Sequence, residues 1–212
     1  MRASRRASLA ATLGCAIANI IGGTANAAQA REPIVVFMGA SETAGYGLPR
    51  KDLSFPSIVA RRCGIIARVS ATPNVPTLLR NLSVTSSTTA TVLTLSFIDA
   101  YVPAPVGALR RWLRRYTNAA PTLVLTTPLV SAFGTRAPTL LSMQRQLYRR
   151  VASAAKTLHA TLLPIGMPAH PARYLQRDGI HPNARGARII AHLVIPWLRS
   201  KGLCDRIRAA GS

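Results

Sequence analysis

At 212 residues the chain is long enough for one domain with a sizeable core, and it shows no repeat, no low-complexity linker and no second domain. Lys and Arg number 27 against 6 Asp and Glu, a formal charge of +21, which favours anionic partners such as lipid headgroups, lipopolysaccharide or nucleic acid. All but Lys51, Lys156 and Lys201 of those cations are Arg, and Ala is abundant, so a bias of base composition accounts for the charge as well as selection for binding does.

Residues 1–30 read as an export signal. Arg2, Arg5 and Arg6 form a charged start, and a short apolar run spans Leu9 to Gly23. Ala25-Asn26-Ala27 or Ala28-Gln29-Ala30 then ends in the small-residue pattern of a cleavage site. Ser4-Arg5-Arg6 hints at a twin-arginine signal, although Ser8 stands where a bulky apolar residue is usual. The expected destination is the periplasm or the exterior, with residues 31–212 forming a single domain.

From there short apolar runs alternate with amphipathic ones, the pattern of a layered α/β domain. Ile34 to Met38 reads as a strand buried on both faces, broken at Gly39-Ala40-Ser41. A turn-rich loop, Gly45 to Pro49, leads to a helix over Phe55–Arg62, with Ser54 as a possible N-cap and Gly64 as its stop. A strand over Ile65–Val69, a turn over Ser70–Pro73 and a short helix over Val75–Leu82 follow. Thr91 to Ile98 reads as the next strand, ending at Asp99. Val106 to Tyr116 is a helix with Leu109, Trp112, Leu113 and Tyr116 on one face and Arg110, Arg111, Arg114 and Arg115 on the other. Thr122–Thr127 (strand), Thr139–His159 (helix), Ala160–Ile165 (strand) and Asn183–Leu198 (helix) complete the order. The pattern predicts a mostly parallel, five-stranded sheet with helices on both faces.

Two stretches carry chemistry. Ser41 falls at the C-terminal edge of the first strand, where open α/β sheets bind ligands. Far downstream, Asp178-Gly179-Ile180-His181-Pro182-Asn183 sets a carboxylate three residues before a histidine in a tight loop. Such a carboxylate can reach Nδ1, fix the tautomer and turn Nε2 toward a nucleophile. The same pattern also fits a capping Asp beside a solvated His. Pro182 is expected to start the closing helix. The other histidines, His159, His170 and His192, have no metal-ligand spacing, and Gly45-Tyr46-Gly47 is too short for a phosphate loop. Cys63, at the end of one helix, and Cys204, past the last, are compatible with one long-range disulfide or with two free thiols.

GASETAGYGLP with SFPSIVARR, and DGIHPNARGARIIAHLVIPWLR, resemble the first and last blocks of the SGNH (GDSL-type) hydrolases, most of all the secreted arylesterase, lysophospholipase and acyl-thioesterase branch. The resemblance runs from about Pro33 to Arg199. It implies a three-layer α/β/α, flavodoxin-like fold and an ester or thioester hydrolase working through an acyl-serine without metal or cofactor. Ser41 would be the nucleophile, His181 the base and acid, and Asp178 its orienter. The middle blocks depart from the pattern. Ala40 stands where the family has an acid. Matching Val69 to Thr72 to the second block makes Ala71, with Ser41, the backbone N–H donor to the oxyanion. The third block reads Ser96-Phe97-Ile98-Asp99, so Ile98, which has no donor, replaces the family's asparagine. Three readings follow: a slow serine esterase acting on a small-molecule ester, a non-catalytic relative binding an acyl or glycan ligand, and a basic module using the Arg110–Arg115 face.

Overall fold

The computed structural model describes residues 32–72, 85–96, 99, 106–126, 137–166 and 170–204, the side chains of 106, 137 and 171 excepted. The expected export signal (1–30), the expected helix at 75–82 and Ile98 lie outside the described residues.

Five strands form one sheet: β1 (Ile34–Gly39), β2 (Ile66–Ala71), β3 (Thr88–Leu95), β4 (Thr122–Thr126) and β5 (Thr161–Pro164). Their order is β2-β1-β3-β4-β5, and every pairing is parallel. The helices are α1 (Ser41–Ala44), α2 (Phe55–Cys63), α3 (Val106–Ala119), α4 (Ala137–Thr157) and α5 (Ala184–Ser200). Side chains alternate along each strand, so the sheet feeds two cores. Val35, Phe37, Val92, Leu123 and Leu125 pack with α2 and α5. Met38, Leu93, Leu95 and Val124 pack with α3 and α4 on the opposite face. That two-sided burial is why these strands read as unbroken apolar runs rather than alternating ones. On α3 the expected division holds: Leu109, Trp112, Leu113 and Tyr116 are buried and the four arginines exposed.

Several boundaries differ from the sequence reading. Ser70 and Ala71 are not in a turn; they extend β2, paired with Met38 and Gly39. β3 begins at Thr88, three residues early, because Thr88 and Ala90 pair with β1. Pro182 does not open the last helix. Asn183 is its N-cap, accepting from Arg185 N at 2.9 Å and Gly186 N at 3.1 Å, while Pro182 bridges to Leu175.

Cys63 and Cys204 form a disulfide across 141 residues of sequence. It joins the end of α2 to the segment after α5, two helices that share one face of the sheet and one core.

The strand order reverses at β1. The chain leaves β1 for the edge strand β2, then returns to β3 on β1's other side. A crevice opens at such a switch point, beyond the carboxyl ends of the two central strands. Ser41 follows β1 there, and Ser96 and Asp99 follow β3.

Candidate active site

β1 ends in a tight corner. A Cβ on Gly39 would collide with Thr43 Oγ1 and lie 2.9 Å from the Thr94 carbonyl oxygen, so the turn into α1 admits only glycine. One residue on, Ala40 accepts from Thr43 N at 3.1 Å and Ala44 N at 3.2 Å, which fixes Ser41 as the first residue of α1.

The second loop is built as a closed hairpin. Gln176 N donates to His181 O at 2.8 Å and Asn183 N to Tyr174 O at 2.9 Å. Asn183 Nδ2 also donates to the carbonyls of Arg173 and Leu175, at 3.0 and 2.9 Å. A single side chain thus caps α5 and ties down the segment from Arg173 to Leu175 that precedes the loop. Inside it, Asp178 Oδ1 accepts from Ile180 N at 2.8 Å and His181 N at 3.0 Å. Its other oxygen, Oδ2, faces His181 Nδ1 at 2.6 Å. Partial burial pushes the Asp178 carboxyl upward, but the hydrogen bonds from the His181 ring and from the Ile180 and His181 amides outweigh it and hold the group below its ordinary value.

The two loops meet at Ser41. His181 Nε2 stands 2.9 Å from Ser41 Oγ, across 140 residues of sequence. Ser41, His181 and Asp178 therefore form one chain of hydrogen bonds, with His181 largely shielded at 15% side-chain exposure and Asp178 more open at 38%. A serine hydroxyl, a histidine ring and a carboxylate on the ring's far nitrogen, linked in this order, are an arrangement able to activate a serine as a nucleophile.

Ala71 closes β2 opposite Gly39, beside the corner that carries Ser41, and is exposed. Asp99 is buried, and its Oδ2 accepts from Ser96 N at 2.7 Å, which ties this acid to the residue that follows β3.

Three residues near the site were not singled out from the sequence. Glu42 follows the serine and is 6% exposed; its Oε1 accepts from Ser96 Oγ at 3.0 Å. That bond links the corner after β1 to the one after β3. The signal was available: Glu42 is one of only six acids and stands inside the first block. Gln176 Nε2 donates both to Tyr46 O, at 2.7 Å, and to Pro182 O, at 3.1 Å, joining the serine's loop to the histidine's. Tyr46 lays its ring 4.8 Å from that of His181 at 47°. Neither has a spacing signature, since an amide bridge and a ring contact are set by tertiary approach alone. His159, His170 and His192 are all exposed, and no cluster among the described residues could hold a metal ion.

No family model matches the chain, and no curated protein does. Solved structures do. A protein assigned as a GDSL-like lipase from Bacteroides ovatus superposes with a TM-score of 0.59 at 16% identity, over 82% of this chain and 55% of that one. This chain thus spans little more than half of that protein. A member of the lipolytic G-D-S-L family from Veillonella parvula gives 0.56 at 15% identity, over 77% and 96% of the two chains. A catalytic mutant of an acetylxylan esterase from Geobacillus stearothermophilus gives 0.57 at 16% identity, over 80% and 94%. The fold is that of the GDSL-type (SGNH) hydrolases.

Proposed function

We propose that this protein is a serine ester hydrolase acting on a small-molecule carboxylic ester or thioester. The observation that carries the reading is the continuous chain Ser41 Oγ, His181 Nε2, His181 Nδ1, Asp178 Oδ2, at 2.9 and 2.6 Å. In this scheme His181 Nε2 takes the hydroxyl proton as Ser41 Oγ attacks the ester carbonyl. The carbonyl oxygen, now anionic, is met by the backbone N–H groups of Ser41 and Ala71. His181 passes its proton to the leaving oxygen or sulfur, the C–O or C–S bond breaks and an acyl-serine remains. Water, deprotonated by the same ring nitrogen, then attacks the acyl carbon, the bond to Ser41 Oγ breaks, His181 returns the proton to Oγ and the acid leaves. No step calls on a metal or cofactor.

Ile98 favours a second reading, a non-catalytic relative that binds an acyl or glycan ligand, because its alkyl side chain offers the oxyanion nothing. One experiment separates the two. A fluorophosphonate probe should label the purified protein covalently, and Ser41→Ala should abolish the label. An unlabelled wild type would leave the binding reading.

The disulfide supports residence in an oxidising compartment, in keeping with the export signal read over 1–30. The exposed arginines of α3 suit an anionic surface, lipid headgroup or lipopolysaccharide, better than nucleic acid, since no aromatic side chain is exposed among them for bases to stack upon.

A further inference from the structure

Tyr46 is 63% exposed, the most exposed of the large apolar side chains among the described residues. An aromatic ring left in water forgoes a large burial gain, so its position calls for a reason. Its backbone is nevertheless held at both ends. Tyr46 N donates to Ser41 O at 2.9 Å, and Tyr46 O accepts from Gln176 Nε2 at 2.7 Å. Gly45 and Gly47 flank it with φ of 69° each, the left-handed region, and bring no side chains to cover the ring. A Cβ on Gly47 would collide with Gln176 Oε1, so the glycine is what lets the anchoring amide approach. The result is a firmly carried, open ring face with its centroid 4.8 Å from that of His181.

We infer that Tyr46 is a stacking platform for an aromatic leaving group, which makes it a specificity-determining residue for aryl esters. This rests on the ester hydrolase reading. The leaving oxygen has to come within roughly 2.6–3.2 Å of His181 Nε2 to collect its proton. Whatever hangs from that oxygen therefore lies beside the imidazole, which is where the Tyr46 ring stands. The carbonyl oxygen turns instead toward the backbone donors at the ends of β1 and β2. A flat, wall-less face distinguishes leaving groups by rigidity. An aryl ring stacks on it with little conformational entropy to lose, whereas a flexible chain must be frozen to gain the same area.

The test compares two acetates that share an acyl group, one with an aromatic and one with a fluorinated aliphatic leaving group, phenyl acetate and 2,2,2-trifluoroethyl acetate, in wild type, Tyr46→Phe and Tyr46→Ala. The readout is the ratio of their kcat/KM values, in which any general damage to the triad cancels. Tyr46→Ala should lower the phenyl-to-trifluoroethyl ratio by roughly 3–10-fold, the range that a ring–ring pair supplies. Tyr46→Phe should keep the wild-type ratio, because the face and not the hydroxyl is at work. An unchanged ratio in Tyr46→Ala, with the wild type active and labelled by fluorophosphonate, overturns the platform and leaves the hydrolase standing. A wild type that neither labels nor turns over either ester overturns both.

Discussion

Gln176 reaches across 130 residues of sequence to donate a hydrogen bond to the Tyr46 carbonyl at 2.7 Å, and the same amide nitrogen bonds the Pro182 carbonyl at 3.1 Å. Tyr46 N is bonded to Ser41 O, and Pro182 follows His181, so one side chain spans the backbones of the two loops whose atoms must meet for the proposed reaction. A misplacement of about 1 Å between reacting groups can cost roughly 100-fold in rate. Gln176→Ala should therefore lower kcat by about 10–100-fold with little change in KM and in the far-ultraviolet dichroism of the fold. An equal loss of thermal stability and activity would mean that Gln176 serves folding alone.

Asp178 divides its oxygens between two tasks, Oδ1 for the loop's own amides and Oδ2 for the His181 ring. Asp178→Asn can keep the first and reverses the second. With an amide N–H facing it, Nδ1 becomes the acceptor, the proton moves to Nε2, and the ring can no longer take one from Ser41. Turnover should fall by roughly 10,000-fold, as when the tautomer is reversed in serine proteases. The same residue makes stability depend on pH. Its carboxyl lies below its ordinary value in the folded chain and at that value in the unfolded one. Between the two, the unfolded chain binds the proton that the folded chain refuses. The contribution is therefore complete above the ordinary carboxylate range and drains away as the pH falls through the folded value. The stability gap between wild type and Asp178→Asn should narrow on going from about pH 6 to about pH 3. Denaturant midpoints at the two pH values check this; a constant gap contradicts it.

The Cys63–Cys204 bridge closes a loop of 141 residues and fastens α2 to the segment following α5. Those helices carry the far ends of both site loops: Ser54 precedes α2, and Asn183 caps α5. Constraining so long a loop in the unfolded chain is worth about 2–4 kcal/mol in practice. Replacing both cysteines with alanine should lower unfolding free energy by that amount in denaturant titrations. Dithiothreitol should destabilise the wild type and leave the double variant untouched.

How far the molecule could be read from its residues varied with the physics behind each feature. The parallel sheet was legible because Val35 to Met38 and Leu123 to Leu125 are apolar at every position, which only two-sided burial requires. The meeting of Asp178 and His181 was legible from a spacing that the backbone of a tight loop largely fixes. Ser41 facing His181 was suggested by the resemblance, since no local pattern joins residues 140 apart. Ser70 and Ala71 were misread as a turn because these two small residues, next to Thr72-Pro73, carry no strand signal of their own, and pairing with Met38 and Gly39 supplies the order. Glu42 was passed over for a related reason. A carboxylate in a turn beside a serine carries no local signal of burial, and only the approach of Ser96 from β3 gives it a buried partner.

Ile98 offers the test that bears hardest on the proposed chemistry. In the resembling family that position supplies a side-chain amide to the developing oxyanion, and an isoleucine has no donor to give. Loss of one such donor usually costs about 100–1000-fold in turnover, or about 2.7–4 kcal/mol, so the wild type should be slow on small aryl esters. Under the proposed function, restoring the amide returns a donor to a site in which Ser41, His181 and Asp178 are already aligned. Ile98→Asn should then raise hydrolysis of a short-chain nitrophenyl ester at least tenfold, a conservative fraction of the roughly 100–1000-fold that one donor supplies. Ser41→Ala sets the baseline. No gain in Ile98→Asn, with wild type as inactive as Ser41→Ala, would make the aligned triad a relic and leave binding as the function. A fast wild type that gains nothing would show another group already filling the missing donor's place.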